Sequence, residues 1–126
     1  MRAIDTNVLV RIITRDDPRQ ATAADAFIAS GAWVSVLALA EATWVLASVY
    51  DMSAAELATS VRMLLDHEHL TIQDPEVVEG ALKNFNAQPS VSFSDALLLE
   101  LARKAGHLPL GTFDRNLGRR LDAEKL

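Results

Sequence analysis

An α/β fold built on a central, mainly parallel sheet follows from two observations. Short apolar runs alternate with helical stretches along the whole chain, and the first of those runs, Met1-Arg2-Ala3-Ile4, ends in an acid, Asp5. Strands separated by helical segments pair in parallel and are covered by helices on both faces, giving three α/β/α layers around four or five strands. In such sheets the carboxyl ends of the strands border the crevice in which ligands bind. Asp5 stands at that edge, and the rest of the chain can be searched for its partners.

The elements are read in order. Thr6 and Asn7 form a turn, and Val8, Leu9, Ile12 and Ile13 carry an apolar helix that Asp16-Asp17-Pro18 stops. Thr6 reads as the cap of this helix. A second helix covers about Arg19 to Ala29 and ends at Ser30-Gly31. Ala32 to Val36 reads as a strand, and Leu37 to Val49 as a helix apolar almost all round, which predicts that it is buried. Ser53 with Glu56 three residues on is a capping box for a helix reaching about Asp66. Leu70-Thr71-Ile72 is a short strand. Asp74-Pro75 starts a helix carrying Val77, Val78, Ala81, Leu82 and Phe85 and fraying at Asn86 to Pro89. Ser92 or Ser94 caps the next helix, Asp95 to Ala105, which Gly106 closes. Leu108 to Thr112 reads as a strand, followed by Phe113-Asp114 and a last short helix. The tail from Asp122 to Leu126 is short for a further edge strand.

With 126 residues, 50% hydrophobic and 23% charged, the chain is expected to form one domain, residues 1–126, able to bury a core without disulfides or structural metals. The absence of cysteine excludes a disulfide framework, a Cys nucleophile and thiolate zinc sites. The longest apolar run, Ala32 to Val49, is broken by Ser35, Glu41 and Thr43, so neither a signal peptide nor a membrane span is expected, and a cytoplasmic location is the default. The net charge of −5 opposes nucleic-acid binding on average, but it is unevenly spread. Residues 1–100 hold 6 basic and 14 acidic side chains, net −8, and residues 101–126 hold 6 basic and 3 acidic, net +3. Only the C-terminal end, with Arg103, Lys104, Arg115, Arg119, Arg120 and Lys125, could face phosphates; on charge alone it reads as a solvated helix face.

Three acids lie in apolar surroundings. Asp5 ends an apolar strand. Glu41 has Leu37, Trp44 and Val45 at i−4, i+3 and i+4; Asp95 has Leu98, Leu99 and Ala102 at i+3, i+4 and i+7. An unpaired carboxylate taken out of water costs several kcal/mol, about the scale at which a compensating cation becomes necessary. No Lys or Arg lies between Arg19 and Arg62 or between Lys83 and Arg103, although chain-distant arginines could serve. A shared divalent metal would relieve every penalty at once, and oxygen donors of this kind select Mg²⁺ or Mn²⁺. Asp114, just past a strand in Gly111-Thr112-Phe113-Asp114, is the natural fourth member. For any one of these acids alone, a helix cap or a distant Arg partner is the more ordinary reading. His67, His69 and His107 fit no metal spacing and read as surface residues.

Asp5-Thr6-Asn7, Leu39-Ala40-Glu41 ahead of Trp44-Val45-Leu46, Phe93-Ser94-Asp95-Ala96-Leu97 and Thr112-Phe113-Asp114-Arg115 together resemble the PIN-domain ribonucleases, most closely the VapC toxins of toxin–antitoxin pairs. The resemblance spans essentially the whole chain, with four motifs in the family's order. It implies a parallel sheet flanked by helices, an acidic pocket, and Asp5, Glu41, Asp95 and Asp114 as metal-binding and catalytic acids. Asn7 and Thr112 match polar pocket positions, although a turn residue and a strand-end Thr have ordinary structural uses too.

The activity implied is Mg²⁺- or Mn²⁺-dependent hydrolysis of an RNA phosphodiester by water, with one metal or two and no covalent protein intermediate. RNA would then need basic residues around the acids, for which Arg115, Arg119 and Arg120 are nearest in sequence. The partners implied are an RNA substrate, a small cognate antitoxin and a second copy in a homodimer, with no membrane. Trp33, Trp44 and Tyr50 are open to a core or an interface reading. Two rivals stand beside the nuclease: a catalytically silent interaction module whose acids pair with a partner's arginines, and an aspartyl-phosphate phosphatase. The second wants another Asp two residues after Asp5, where this chain has Asn7.

Overall fold

The computed structural model describes residues 1–126, which fall into two units, Met1–Pro75 and Glu76–Leu126. In the first, β1 (Arg2–Ile4), β2 (Ala32–Val34) and β3 (Leu70–Ile72) form a parallel sheet in the order β1-β2-β3. The register places Ile4 beside Val34 and Val34 beside Ile72. Between β1 and β2 run α1 (Thr6–Thr14) and α2 (Pro18–Ile28); between β2 and β3 run α3 (Val36–Ser48) and α4 (Ala54–Leu65). Parallel neighbours need such helical crossovers, so the alternation read from the sequence and the pairing observed are one fact. In the second unit, α5 (Pro75–Ala87) and α6 (Phe93–Ala105) precede β4 (Leu110–Thr112), a 3₁₀ segment (Leu117–Arg119) and β5 (Ala123–Lys125). β4 and β5 pair in parallel, Leu110 beside Ala123. Every strand pairing is parallel as expected, but the strands form a sheet of three and a sheet of two in place of one sheet of four or five, and the short tail does supply the last strand. No helix is long and apolar enough to cross a membrane.

The helix starts follow their capping residues. Asp17 accepts the Gln20 N–H (3.1 Å) with Pro18 at the first helical position, and Ser35 accepts the Ala38 N–H (3.0 Å). Ser53 and Glu56 form the expected reciprocal box at 3.2 and 3.0 Å. Ser92, and not Ser94, caps α6 by accepting the Asp95 N–H at 3.1 Å, and Gly106 ends that helix at φ 83°, where a side chain would be strained. Thr6 is not the cap of α1. Asp5 is: its Oδ1 accepts the Val8 N–H at 3.1 Å, because Asp5 keeps the extended conformation that a cap needs while Thr6 is already helical.

In the first unit the buried side chains include Ile4, Leu9, Ile12, Val34, Leu39, Leu46, Val61, Leu64 and Ile72. Each Leu withdrawn from water contributes about 1.5–3 kcal/mol. Helix α3 departs from the all-round burial expected of it. Val36, Leu39, Ala42, Thr43 and Leu46 are buried, but Leu37, Trp44 and Val49 are 69%, 64% and 68% exposed. Nothing in this chain covers their face, so uniform hydropathy here records a surface as well as a core. In the second unit Val91, Leu99 and Leu117 form a small cluster with Leu110 against it, and Phe85 meets Phe93 edge to face at 5.8 Å. Gly118 lies where a Cβ would come 2.7 Å from the Lys125 Cβ, so only glycine allows β5 this close to the 3₁₀ segment.

A polar network ties α1 to the chain after it. Arg11 donates to Gln20 Oε1 (2.6 Å), Asp16 Oδ1 (2.9 Å) and the Tyr50 hydroxyl (2.9 Å), and Tyr50 donates to Asp16 Oδ2 (2.8 Å). Hydrogen bonds from the Thr14 and Tyr50 hydroxyls, with Arg11 nearby, hold the Asp16 carboxyl below its ordinary value of 3.8. A depressed folded-state value means that the contribution is complete above the unfolded value and is lost as pH falls toward the folded one. Asp16→Asn is therefore expected to lower the melting temperature at pH 7 and to make the further decline below about pH 4 shallower than in the unaltered protein. Thermal melts across pH 2.5–7 check this, and parallel curves would show that Asp16 is not part of the acid response.

Candidate metal centre

Asp5 leaves the end of β1 and caps α1, which points its carboxylate to the carboxyl edge of the three-stranded sheet. The same turn carries Thr6, whose hydroxyl donates to Glu41 Oε2 at 2.8 Å. This bond joins the first strand–helix turn to the second turn of α3, 35 residues away, and it ties Glu41 to the residue that follows Asp5. The amino end of α3 is itself held at that edge. The Val36 N–H donates to Gln73 Oε1 at 2.9 Å, while Gln73, just past β3, donates its own N–H to Val34 O at 2.8 Å. Adjacent strand ends thus fix the helix that presents Glu41.

The second unit holds Asp95 and Asp114. Asp95 occupies the first turn of α6, its N–H bound by the Ser92 cap. Asp114 follows β4: its N–H donates to Thr112 Oγ1 (2.9 Å) and its Oδ1 accepts the Leu117 N–H (2.8 Å). Thr112 therefore has a definite task, to fix the turn that presents Asp114. Its match to a pocket position does not exclude that task. No group of three or more His, Asp or Glu side chains gathers as a metal site; each unit carries two of the four acids. His67 and His69 lie beside one another at 5.7 Å between ring centres, and His107 is exposed.

Asp5 and Glu41 are exposed and Asp95 is partly so, in place of the withdrawal from water that their apolar neighbours predict; Asp114 is exposed as well. Their apolar neighbours misled because the face of α3 around Glu41, with Leu37 and Trp44, is open to solvent. Three of these acids are each oriented by one hydrogen bond, as an ordinary helix cap such as Asp17 is. Asp5, Glu41 and Asp114 each have one oxygen engaged by a fixed donor and the other with no hydrogen bond. Carboxylates that bind metals are commonly oriented by such outer bonds. The donors are all oxygen, the chemistry that suits Mg²⁺ or Mn²⁺.

Beside Asp5 a cleft of about 370 Å³ opens between α1 and α2, with Asn7, Arg11, Gln20 and Phe27 among its walls. The Arg2 guanidinium stacks 3.7 Å over the Phe27 ring and donates to Phe27 O at 3.1 Å. Asn7 thus lines the cleft next to the acid pair. Of the three C-terminal arginines, Arg120 is half-buried and turned toward Gln88 (3.3 Å) and Asp122 (3.5 Å), so it is committed to its own unit. Arg103 pairs with Asp122 and Glu100, and Lys104 with Glu76. Arg115 and Arg119 are exposed and take part in no ion pair of this kind.

Compared with known protein families, residues 3–122 match the PIN domain. The chain belongs to the PIN-domain family. Most members are metal-dependent nucleases, and the parallel α/β architecture agrees with that fold. The match runs through both units of the PIN domain and includes all four acids. No curated protein and no solved structure was found to match the chain.

Sequence reasoning missed Thr6 and Gln73 as supports of this PIN domain's acidic edge. Both are polar residues one position removed from a residue already suspected or from a strand end, and that adjacency is the signal that could have found them. Thr6→Val is expected to leave the Asp5 cap and the melting temperature nearly unchanged and to weaken Mn²⁺ binding about tenfold, with Thr6→Ser restoring it. Calorimetric titration checks this, and equal affinity in all three proteins would remove Thr6 from the site.

Proposed function

We propose that this PIN domain is a Mg²⁺- or Mn²⁺-dependent endoribonuclease acting as the toxin of a toxin–antitoxin pair. The observation that carries the reading is the Asp5–Thr6–Glu41 constellation at the carboxyl edge of the sheet. Two carboxylates lie on separate elements, with one hydrogen bond fixing each of them and one oxygen of each left over. In the proposal Asp5, Glu41, Asp95 and Asp114 act as one set of catalytic and metal-binding acids. The division of labour follows the family, and the motifs around all four support it.

When bound, the metal lowers the pKa of the attacking water and offsets charge that develops on the phosphate and the leaving oxygen. The chain's own residues do the rest. Asp5 and Glu41 are held by Val8 and Thr6 so that little rearrangement is required on binding. Asp114 is held by Leu117 in the same manner. No histidine stands in any of the four acid motifs, so proton transfer would fall to a carboxylate or to solvent. Arg115 and Arg119 supply cations for the flanking phosphates, Asn7 lines the cleft beside Asp5, and Thr112 braces the turn that presents Asp114. Arg120 belongs to this set less well, since Gln88 and Asp122 already engage it.

The exposed apolar face of α3, with Leu37 and Trp44 on either side of Glu41, favours a protein partner at the same edge. The proposal assigns such contacts to the antitoxin and to a second copy in a homodimer. The same surface is what a catalytically silent interaction module would use, so activity must decide. Cleavage of a mixed tRNA and rRNA pool is expected with Mg²⁺ or Mn²⁺ and not with EDTA. Asp5→Asn is expected to reduce it by more than about a hundredfold, since loss of even an outer-shell partner costs 10–100-fold. Asn caps helices as well as Asp, so the variant removes charge without removing the cap. Cleavage that persists in EDTA, or equal cleavage by Asp5→Asn, contradicts the metal-centre mechanism; no cleavage under any condition favours the silent module.

A further inference from the structure

One large side chain beside the candidate centre has no partner. Phe113 stands between Thr112 at the end of β4 and Asp114, and 80% of its surface is in solvent. The other two phenylalanines of this unit are buried against one another, so exposure is not the rule for the residue type here. Leaving a phenyl ring in water forgoes the gain that burial gives. The turn that carries it is nonetheless fixed. The Asp114 N–H binds Thr112 Oγ1 (2.9 Å), the Leu117 N–H binds Asp114 Oδ1 (2.8 Å), and the Gly118 N–H binds Asp114 O (2.9 Å). Leu117, only 3% exposed, anchors the far side. A ring on a rigid turn loses little freedom when something settles on it.

Its surroundings say what that is. Arg115 follows Asp114 directly and is exposed, Arg119 is exposed as well, and the last 26 residues carry a net charge of +3 in a chain whose total is −5. Aromatic rings interleaved with unpaired cations are the combination by which proteins hold single-stranded nucleic acid, the ring stacking on a base and the cations following the phosphates. We propose that the Phe113 ring is a stacking platform for an unpaired base of the RNA, adjoining the phosphate cut at the acids, with Arg115 on a neighbouring phosphate. This rests on the nuclease reading above and adds to it one residue that holds the substrate. A base inside an A-form duplex is stacked on its neighbours and cannot reach the ring. Any base has a π face, so Phe113 makes the enzyme selective for unpaired nucleotides and not for one sequence. Phe113 is a positioning residue and holds no proton or metal.

The test uses the full chain and an oligoribonucleotide that it cuts, together with versions of that RNA lacking one base at each of the two positions on either side of the cut bond. Phe113→Ala is expected to raise KM about tenfold on the intact RNA with little change in kcat, and Phe113→Trp to restore it. At one of the base-less positions the unaltered protein and Phe113→Ala are expected to become equal, since the base that stacked is gone. Equal KM values on the intact RNA overturn the stacking assignment and leave the nuclease reading in place. A loss of the same size on every RNA, or a smaller sedimenting species for Phe113→Ala, means that the ring packs against a second copy and also overturns it. If the unaltered protein cuts no RNA at all, both readings fall together.

Discussion

The hydrogen bond from the Thr6 hydroxyl to Glu41 is the contact on which the acidic edge depends. It is made at the place where the backbone leaves β1, and it can form only if β1 and β2 pair in the observed register and α3 starts at Ser35. Each of those conditions has a local cause. The apolar residues Ile4, Val34 and Ile72 are buried side by side across the sheet. The Asp5 cap fixes where α1 begins, and the Ser35 and Gln73 bonds fix where α3 begins. A slip of one residue in β1 would turn Ile4 outward and carry Asp5 to the wrong face.

Two of the acids serve the structure directly. One oxygen of Asp5 caps the start of α1, and one of Asp114 accepts the N–H of Leu117, the first residue of the 3₁₀ segment. Capping accounts for an acid at these positions without any metal, which is why each acid read singly is weak evidence. What capping does not explain is the Thr6–Glu41 bond, which joins two elements 35 residues apart at the strand ends. Exposure fits the same account: a ligand that must exchange cations and meet a polyanion has to be reachable from solvent.

Much of this was legible in the sequence, and for physical reasons. Cap chemistry is local, so Ser53 with Glu56 and Gly106 marked their helix ends correctly, and Asp16-Asp17-Pro18 marked the stop of α1. The parallel pairing followed from helices lying between strands. Burial was less legible. Helix α3 is apolar on nearly every side, and hydropathy alone does not tell a face packed on this chain from a face such as Leu37 and Trp44 that this chain leaves open. The use of Thr6 was invisible for a related reason: a Thr after a strand-end acid is an ordinary cap, and only the long-range approach of Glu41 gives its hydroxyl another partner. Arg120 reads as a phosphate-facing cation by proximity to Asp114, but Gln88 and Asp122, distant or ambiguous in sequence, claim it.

The central claim is that the four acids act as one metal-binding set. Titration of Mn²⁺ into the unaltered protein, Asp5→Asn, Asp114→Asn and the double variant tests it most directly, because both substitutions keep a capping side chain in place. The account predicts that each single variant loses most of the affinity and that the double variant loses little more, as expected for residues serving one site. Additive losses, or a full affinity retained by either single variant, would contradict it.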